Sequence, residues 1–150
     1  MAIDRSAGTE IIRTVHLEQM NSGAIEELIF GVQHHIYTVL SVIVFANTSA
    51  GYIHLNLIGY DTLGGTSAQT IHIFHAAATE MLENKTYVFN DKFSFMGHEP
   101  VDFSAGMDSI AKQDAIADQG SAVAQKLMIG STDTSSNLDV TCTFIDQNNA

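Results

Sequence analysis

At 150 residues the chain is about one domain long, and a 45% hydrophobic composition can build a core without disulfides. Six Lys and Arg face 17 Asp and Glu, a formal charge of −11, and the cations are scattered (Arg5, Arg13, Lys85, Lys92, Lys112, Lys126), which excludes a nucleic-acid or anionic-membrane surface. The single cysteine, Cys142, excludes an intramolecular disulfide, and no apolar run approaches the ~20 residues of a spanning helix.

The start, MAIDRSAGTE, has no apolar signal core, so a chain made and soluble in the cytoplasm is expected. Residues 1–9 are small and polar and read as an extended arm. Residues 9–20 alternate: Ile11, Arg13, Val15 and Leu17 fall on one side, and Ile12, Thr14, His16 and Glu18 on the other. The charge on the second side fits an edge strand. Residues 24–32 fit either period, with Leu28, Phe30 and Val32 favouring a strand.

Residues 35–61, HIYTVLSVIVFANTSAGYIHLNLIGYD, carry the strongest pattern. The first half is apolar at both parities and rich in β-branched residues, which suit a pleated surface inside a sheet. Turn formers follow at 47–51, and then Ile53, Leu55 and Leu57 alternate with Tyr52, His54 and Asn56. The expectation is a hairpin pairing 39–46 with 52–60, and an Ile43→Asp substitution is expected to prevent folding.

A Gly-rich loop at 63–67 lacks the Lys and helix of a phosphate-binding loop. Residues 70–74 form a short strand. Residues 76–84, AAATEMLEN, read as one helical turn, too short for an independent helix. Residues 85–90 and 92–96 read as a strand pair around Asn90 and Asp91, with Tyr87, Phe89, Phe93 and Phe95 on the core side. A brief strand is expected at 101–103, and 104–125 fits helix or strand. Strands at 124–129 and 138–146 close the chain, the second burying Cys142 as a small hydrophobe. Short strands with a turn about every ten residues predict one all-β domain over 1–150, an antiparallel β-sandwich of jelly-roll type.

Candidate chemistry is sparse. Glu26 with Glu27, Asp102 with Asp108 and Asp114 with Asp118 read as solvated carboxylates. No Gly-x-Ser-x-Gly elbow is present. The seven histidines offer one ligand set, His54, His72 and His75 with Glu80, in a cupin-like pattern. Cupin ligands are usually one residue apart, whereas His72 and His75 are three apart and fall on opposite faces of a regular strand. No catalytic residue, metal or cofactor is therefore expected, and those four residues are the fallback ligands.

The order of the segments at 36–39, 42–50, 52–60, 87–95, 105–110 (AGMDSI) and 138–147 (LDVTCTFIDQ) resembles small β-sandwich virion structural proteins of tailed bacteriophages, capsid cement (decoration) proteins among them. The resemblance implies a non-enzymatic protein that binds the outside of an assembled head, staples neighbouring capsomers and has the major capsid protein as partner. It also implies a dimer or trimer on the virion surface. The arm and first strand are the candidate capsid interface, with Ile3, Arg5, Ile11 and Arg13 as contacts. The alternatives are a tail or head-tail connector component, a carbohydrate-binding sandwich (though the chain has no Trp), and a cupin-like metalloenzyme.

Overall fold

The computed structural model describes residues 9–21, 25–48, 52–60, 68–75, 82–98, 109–111, 124–132 and 137–148, with the backbone alone at 60 and 68–75. The described strands are β1 (Thr9–Asn21), β2 (Ile25–Phe30), β3 (His35–Ala46), β4 (Ile53–Tyr60), β5 (Ala68–His75), β6 (Lys85–Phe89), β7 (Phe93–Met96), β8 (Lys126–Ser131) and β9 (Asn137–Asn148).

They form two antiparallel sheets. One runs β1-β9-β3, with β6 and β7 sharing the far side of β3, and the other runs β2-β8-β4-β5. Val42–Ala46 pairs with Lys85–Phe89, and Ile36–Val39 pairs with Phe93–Met96. β6 and β7 are thus two lengths of one interrupted strand, and among the described residues each sheet is four strands wide. The last strand lies between the first and third, and the chain passes repeatedly from sheet to sheet, as in a jelly roll.

Two pairings differ from expectation. β3 and β4 are not a hairpin: β3 is flanked on both sides within its own sheet, so no edge is left for β4, which pairs with β8 and β5 in the other sheet. The Asn47 amide donates to the Asn137 carbonyl, and the Thr132 amide donates to that of Tyr52, tying the end of β3 and the start of β4 each to its own sheet. Likewise β6 and β7 do not pair with each other; residues 90–92 interrupt one strand instead of turning it.

A bulge explains why β3 is apolar at both parities. Its register against β9 shifts between Val39 and Ser41, leaving Leu40 over. Tyr37 and Val39 point inward before the bulge, and Val42, Val44 and Ala46 after it. The inward set changes parity, and Ile43 is left on the outer side, 38% exposed. The expectation that Ile43→Asp prevents folding is therefore overturned: its neighbours Val42 and Val44 hold the core.

The core joins Leu138, Val140, Cys142 and Phe144 of β9 and the β3 set to Leu55, Leu57, Leu127 and Ile129 of the facing sheet. Burial pushes the Cys142 thiol up to about 12, so it does not ionise near neutrality. Ile110 and Ala111 are helical, and Ala124 bridges His98. Residues 1–8, the strand expected at 101–103, and most of 76–84 and 104–125 lie outside the described residues.

Candidate interaction surfaces

The strand order brings β1, β9 and the start of β3 side by side at one end of the sandwich, and the inward parity there carries polar residues. Arg13 pairs in register with Phe144, Ile11 with Asp146, and Asp146 with Tyr37. Asp146 is 7% exposed and is held by two donors: Arg13 Nε at 2.8 Å from Oδ2, and His35 Nδ1 at 2.6 Å from Oδ1. Both carboxylate oxygens are satisfied, as burial of such a group requires. The Val32 amide donates to Tyr37 Oη at 3.2 Å. Burial, and then the Asp146 charge, raise the Tyr37 phenol above its ordinary pKa.

Beside this cluster the two sheets are knitted together. The Gly31 amide donates to the Gln125 carbonyl, the Gln125 amide to that of Gly97, and the Gly97 amide to that of His35, each at 2.8 Å. The backbones approach so closely that a Cβ on Gly97 would sit 1.9 Å from the Val32 carbonyl oxygen. The cluster caps an end of the core. It binds its members to one another and presents no open nucleophile-base pair.

The outward side of the β1-β9-β3 sheet is different in kind. Its rows are Ile12, Ile145, Thr38 and Ser94; then Thr14, Thr143 and Ser41; then His16, Thr141, Ile43 and Val88. Ile12 is 69% exposed and Val88 59%. These rows are uncharged on β1, β9 and β3, but exposed Asp91 and Lys92 stand in the interruption beside the middle row, and Glu18 Oε1 lies 3.7 Å from His16 Nε2. The outward side of the other sheet is partly closed: Asn56, opposite Met128, is buried. At the far end, Asp139 accepts from the Gln19 amide and from Asn47 Nδ2, and these bonds, in that order, hold its carboxyl below the usual range.

Of the expected capsid contacts, Ile11 and Arg13 lie on β1, which among the described residues is an edge strand, as its charge pattern predicted. Ile11 is exposed, while Arg13 is engaged with Asp146. Ile3 and Arg5 lie outside the described residues. The fallback metal ligands meet an irregular strand rather than a regular one. A register shift places His75 opposite His54 and His72 opposite Asn56, two residues further along β4. His54 lies over Gly130, where a Cβ would meet its Nε2 at 2.5 Å. His72 and His75 are described in backbone only, and Glu80 lies outside the described residues. Among the described residues no group of three His, Cys, Asp or Glu is placed to hold a metal ion.

Sequence reasoning missed the Arg13–Asp146–His35 cluster because Asp146 lies more than a hundred residues from both of its partners. Asp146 did leave one signal, a carboxylate on the apolar parity of an otherwise regular strand.

No protein-family model matches this chain, and no curated protein matches it. Solved structures show distant likeness. One is from Bacillus endospore appendages, described as a novel family of disulfide-linked pili (10% identity, TM-score 0.44, all of this chain and 97% of that one). Another is the CBM22-1-GH10 portion of xylanase 10B from Clostridium thermocellum, complexed with xylohexaose (12%, TM-score 0.44, 94% of this chain and 26% of that one). A third is infectious bursal disease virus, Gx strain (9%, TM-score 0.42, all of this chain and 37% of that one). This chain spans about a quarter and about a third of the last two. Likeness this distant carries no argument about function, which rests on the surfaces above.

Proposed function

We propose that the protein is a non-enzymatic structural component of a virion, of the capsid cement type, and that it binds the outside of an assembled head through the edge of β1. The observation that carries this reading is β1 itself. It is a thirteen-residue strand at the edge of its sheet among the described residues, with Ile11 45% and Ile12 69% exposed. Long edges with exposed apolar residues are an aggregation hazard that free-standing proteins blunt, so such an edge calls for a partner strand. Strand addition supplies main-chain hydrogen bonds for affinity and side-chain contacts for specificity.

Residues 1–9, read from sequence as an extended arm, precede this edge and are proposed to extend the contact. Binding to the assembled shell and not to free subunits stabilises the shell by mass action, and repetition over a lattice adds avidity. The test is co-sedimentation with purified empty heads. The full chain should pellet with heads and raise their melting temperature. A chain lacking residues 2–9 should bind more weakly while its own melting temperature is nearly unchanged. Equal decoration by the truncated chain overturns the role of the arm. Failure of both forms on heads, with co-purification on tails, replaces the cement role with that of a tail component.

A further inference from the structure

We infer that the cavity between the two sheets beside β6 is a binding site for a small apolar molecule, about the size of a benzene ring or a short branched alkyl group. It is a different place from the β1 edge, and the inference stands whether or not the protein binds heads.

The cavity has a volume of about 110 Å³. Val42 and Val44 of β3 and Tyr87 and Phe89 of β6 form one wall, and Ile53, Leu55 and Ile129 of the other sheet form the facing one. The register of β3 against β6 produces this space. Val44 pairs with Tyr87 and Val42 with Phe89, so both rows place a short side chain on the inner strand beside an aromatic one on the outer strand. Packed sheets lie about 10 Å apart, and a valine covers too little of that distance to meet the far wall. An apolar cavity of about 150 Å³ lined by Leu, Ile and Phe takes up benzene or xenon, and this volume is of that order.

The walls favour an apolar guest over water. One water needs about 10–15 Å³ of such space and roughly two to four polar partners, so filling the cavity would take several waters with many partners. Only two lining side chains are polar, those of Tyr87 and His54, and both are turned to other contacts. Tyr87 Oη accepts from the Leu82 amide at 3.1 Å. His54 alternates with the inward Ile53 and Leu55, and its imidazole lies over Gly130 of the neighbouring strand. An apolar guest supplies the van der Waals contacts that the walls lack. A polar atom on the guest would leave water without a replacement partner, which restricts the ligand class.

The same geometry supplies a way in. Val42, Val44, Ile53, Leu55 and Ile129 are buried, whereas Tyr87 and Phe89 are only partly so, which puts the mouth of the cavity along β6. β6 is five residues long and, among the described residues, lies at the edge of its sheet with β3 as its one neighbour. A short edge strand opens locally far more readily than a central one, so a guest enters without unfolding of the core.

The experiment is methyl NMR on the full chain titrated with benzene, with xenon as a second probe. Benzene should shift the methyls of Val42, Val44, Leu55 and Ile129 along a saturable curve and raise the melting temperature. Pyridine, which has the same shape and one polar atom, should bind at least tenfold more weakly. Val44→Phe places a ring in the cavity and should weaken benzene binding at least tenfold. Xenon shifts at the same methyls of the unaltered chain carry the test if that variant fails to fold. Ile12 and Ile25, both exposed, report non-specific contact. Benzene or xenon shifts that fail to saturate, or that are as large at Ile12 and Ile25 as in the cavity, overturn the inference. So does pyridine binding as tight as that of benzene, or a folded Val44→Phe chain that takes benzene as well as the wild type.

Discussion

Adjacent residues on β3 give the sharpest contrast in this molecule. Val44 is 5% exposed between the sheets, and Ile43 is 38% exposed on the outside. Val44→Asp should abolish folding, because it buries a charge with no partner. Ile43→Asp should leave a folded monomer whose melting temperature, measured in dilute solution, drops by only a few degrees, the scale of a ~1 kcal/mol strand-propensity change. At Asp146 the expected cost of Ala is about 1–3 kcal/mol in urea unfolding, with part of it returned by Asn, which can still accept one hydrogen bond. The half-exposed Arg13 can rehydrate, which keeps the loss below that of a fully buried pair. Asp139 makes a prediction in pH. Its folded carboxyl is held below the ordinary range by the Gln19 amide and by Asn47. The stability it contributes is therefore present above the unfolded carboxylate pKa of about 3.9 and is lost as pH falls through the lower folded value. Asp139→Asn should flatten the acid limb of the stability profile and leave the region above neutrality unchanged in slope.

Among the elements, the corner where the sheets meet is the most constrained. Gly31 and Gly97 occupy it because a Cβ at either position would lie 1.9 Å from a backbone carbonyl oxygen, which no side-chain rotation relieves. Gly97→Ala should cost about 3 kcal/mol or more, the upper range for overpacking. In that variant the amides of Gly31 and Gln125, which bond across this corner, should lose hydrogen-exchange protection first. Exchange that stays uniform across the molecule would show that the corner is not a separate unit. The bulge at Leu40 and the interruption at 90–92 are matched irregularities along the same stretch of β3. Together they let one long strand turn its apolar parity toward the core twice.

On the scale of the whole molecule, the order of pairing makes β9 the keystone. It lies between β1 and β3 and supplies Leu138, Val140, Cys142 and Phe144 to the core. A chain ending before Asn137 should fail to fold, seen as loss of the strand signal in circular dichroism and of soluble yield. Most neighbouring strands are remote in sequence, with β1 beside β9 and β3 beside β9, so loop closure precedes reward and folding should fall in the millisecond-to-second class. Stopped-flow refolding in microseconds would contradict that topology.

The sequence by itself determined that the domain is all-β, that its first strand is an edge, that Cys142 is buried, and the approximate limits of β1, β2, β5, β8 and β9. These are local matters: alternation, turn formers and β-branched composition act over a few residues. Which strands pair was decided only by the tertiary structure. Residues 39–46 and 52–60 alternate as a hairpin would, yet the core needs both apolar sides facing each other from opposite sheets, and their pattern is the same in either case. Bulges stayed hidden for a similar reason: one extra residue at Leu40 reverses every inward assignment after it without changing composition. The Asp146 cluster arises from contacts between Asp146 and residues more than a hundred positions earlier, so it exists only once the sheet has assembled.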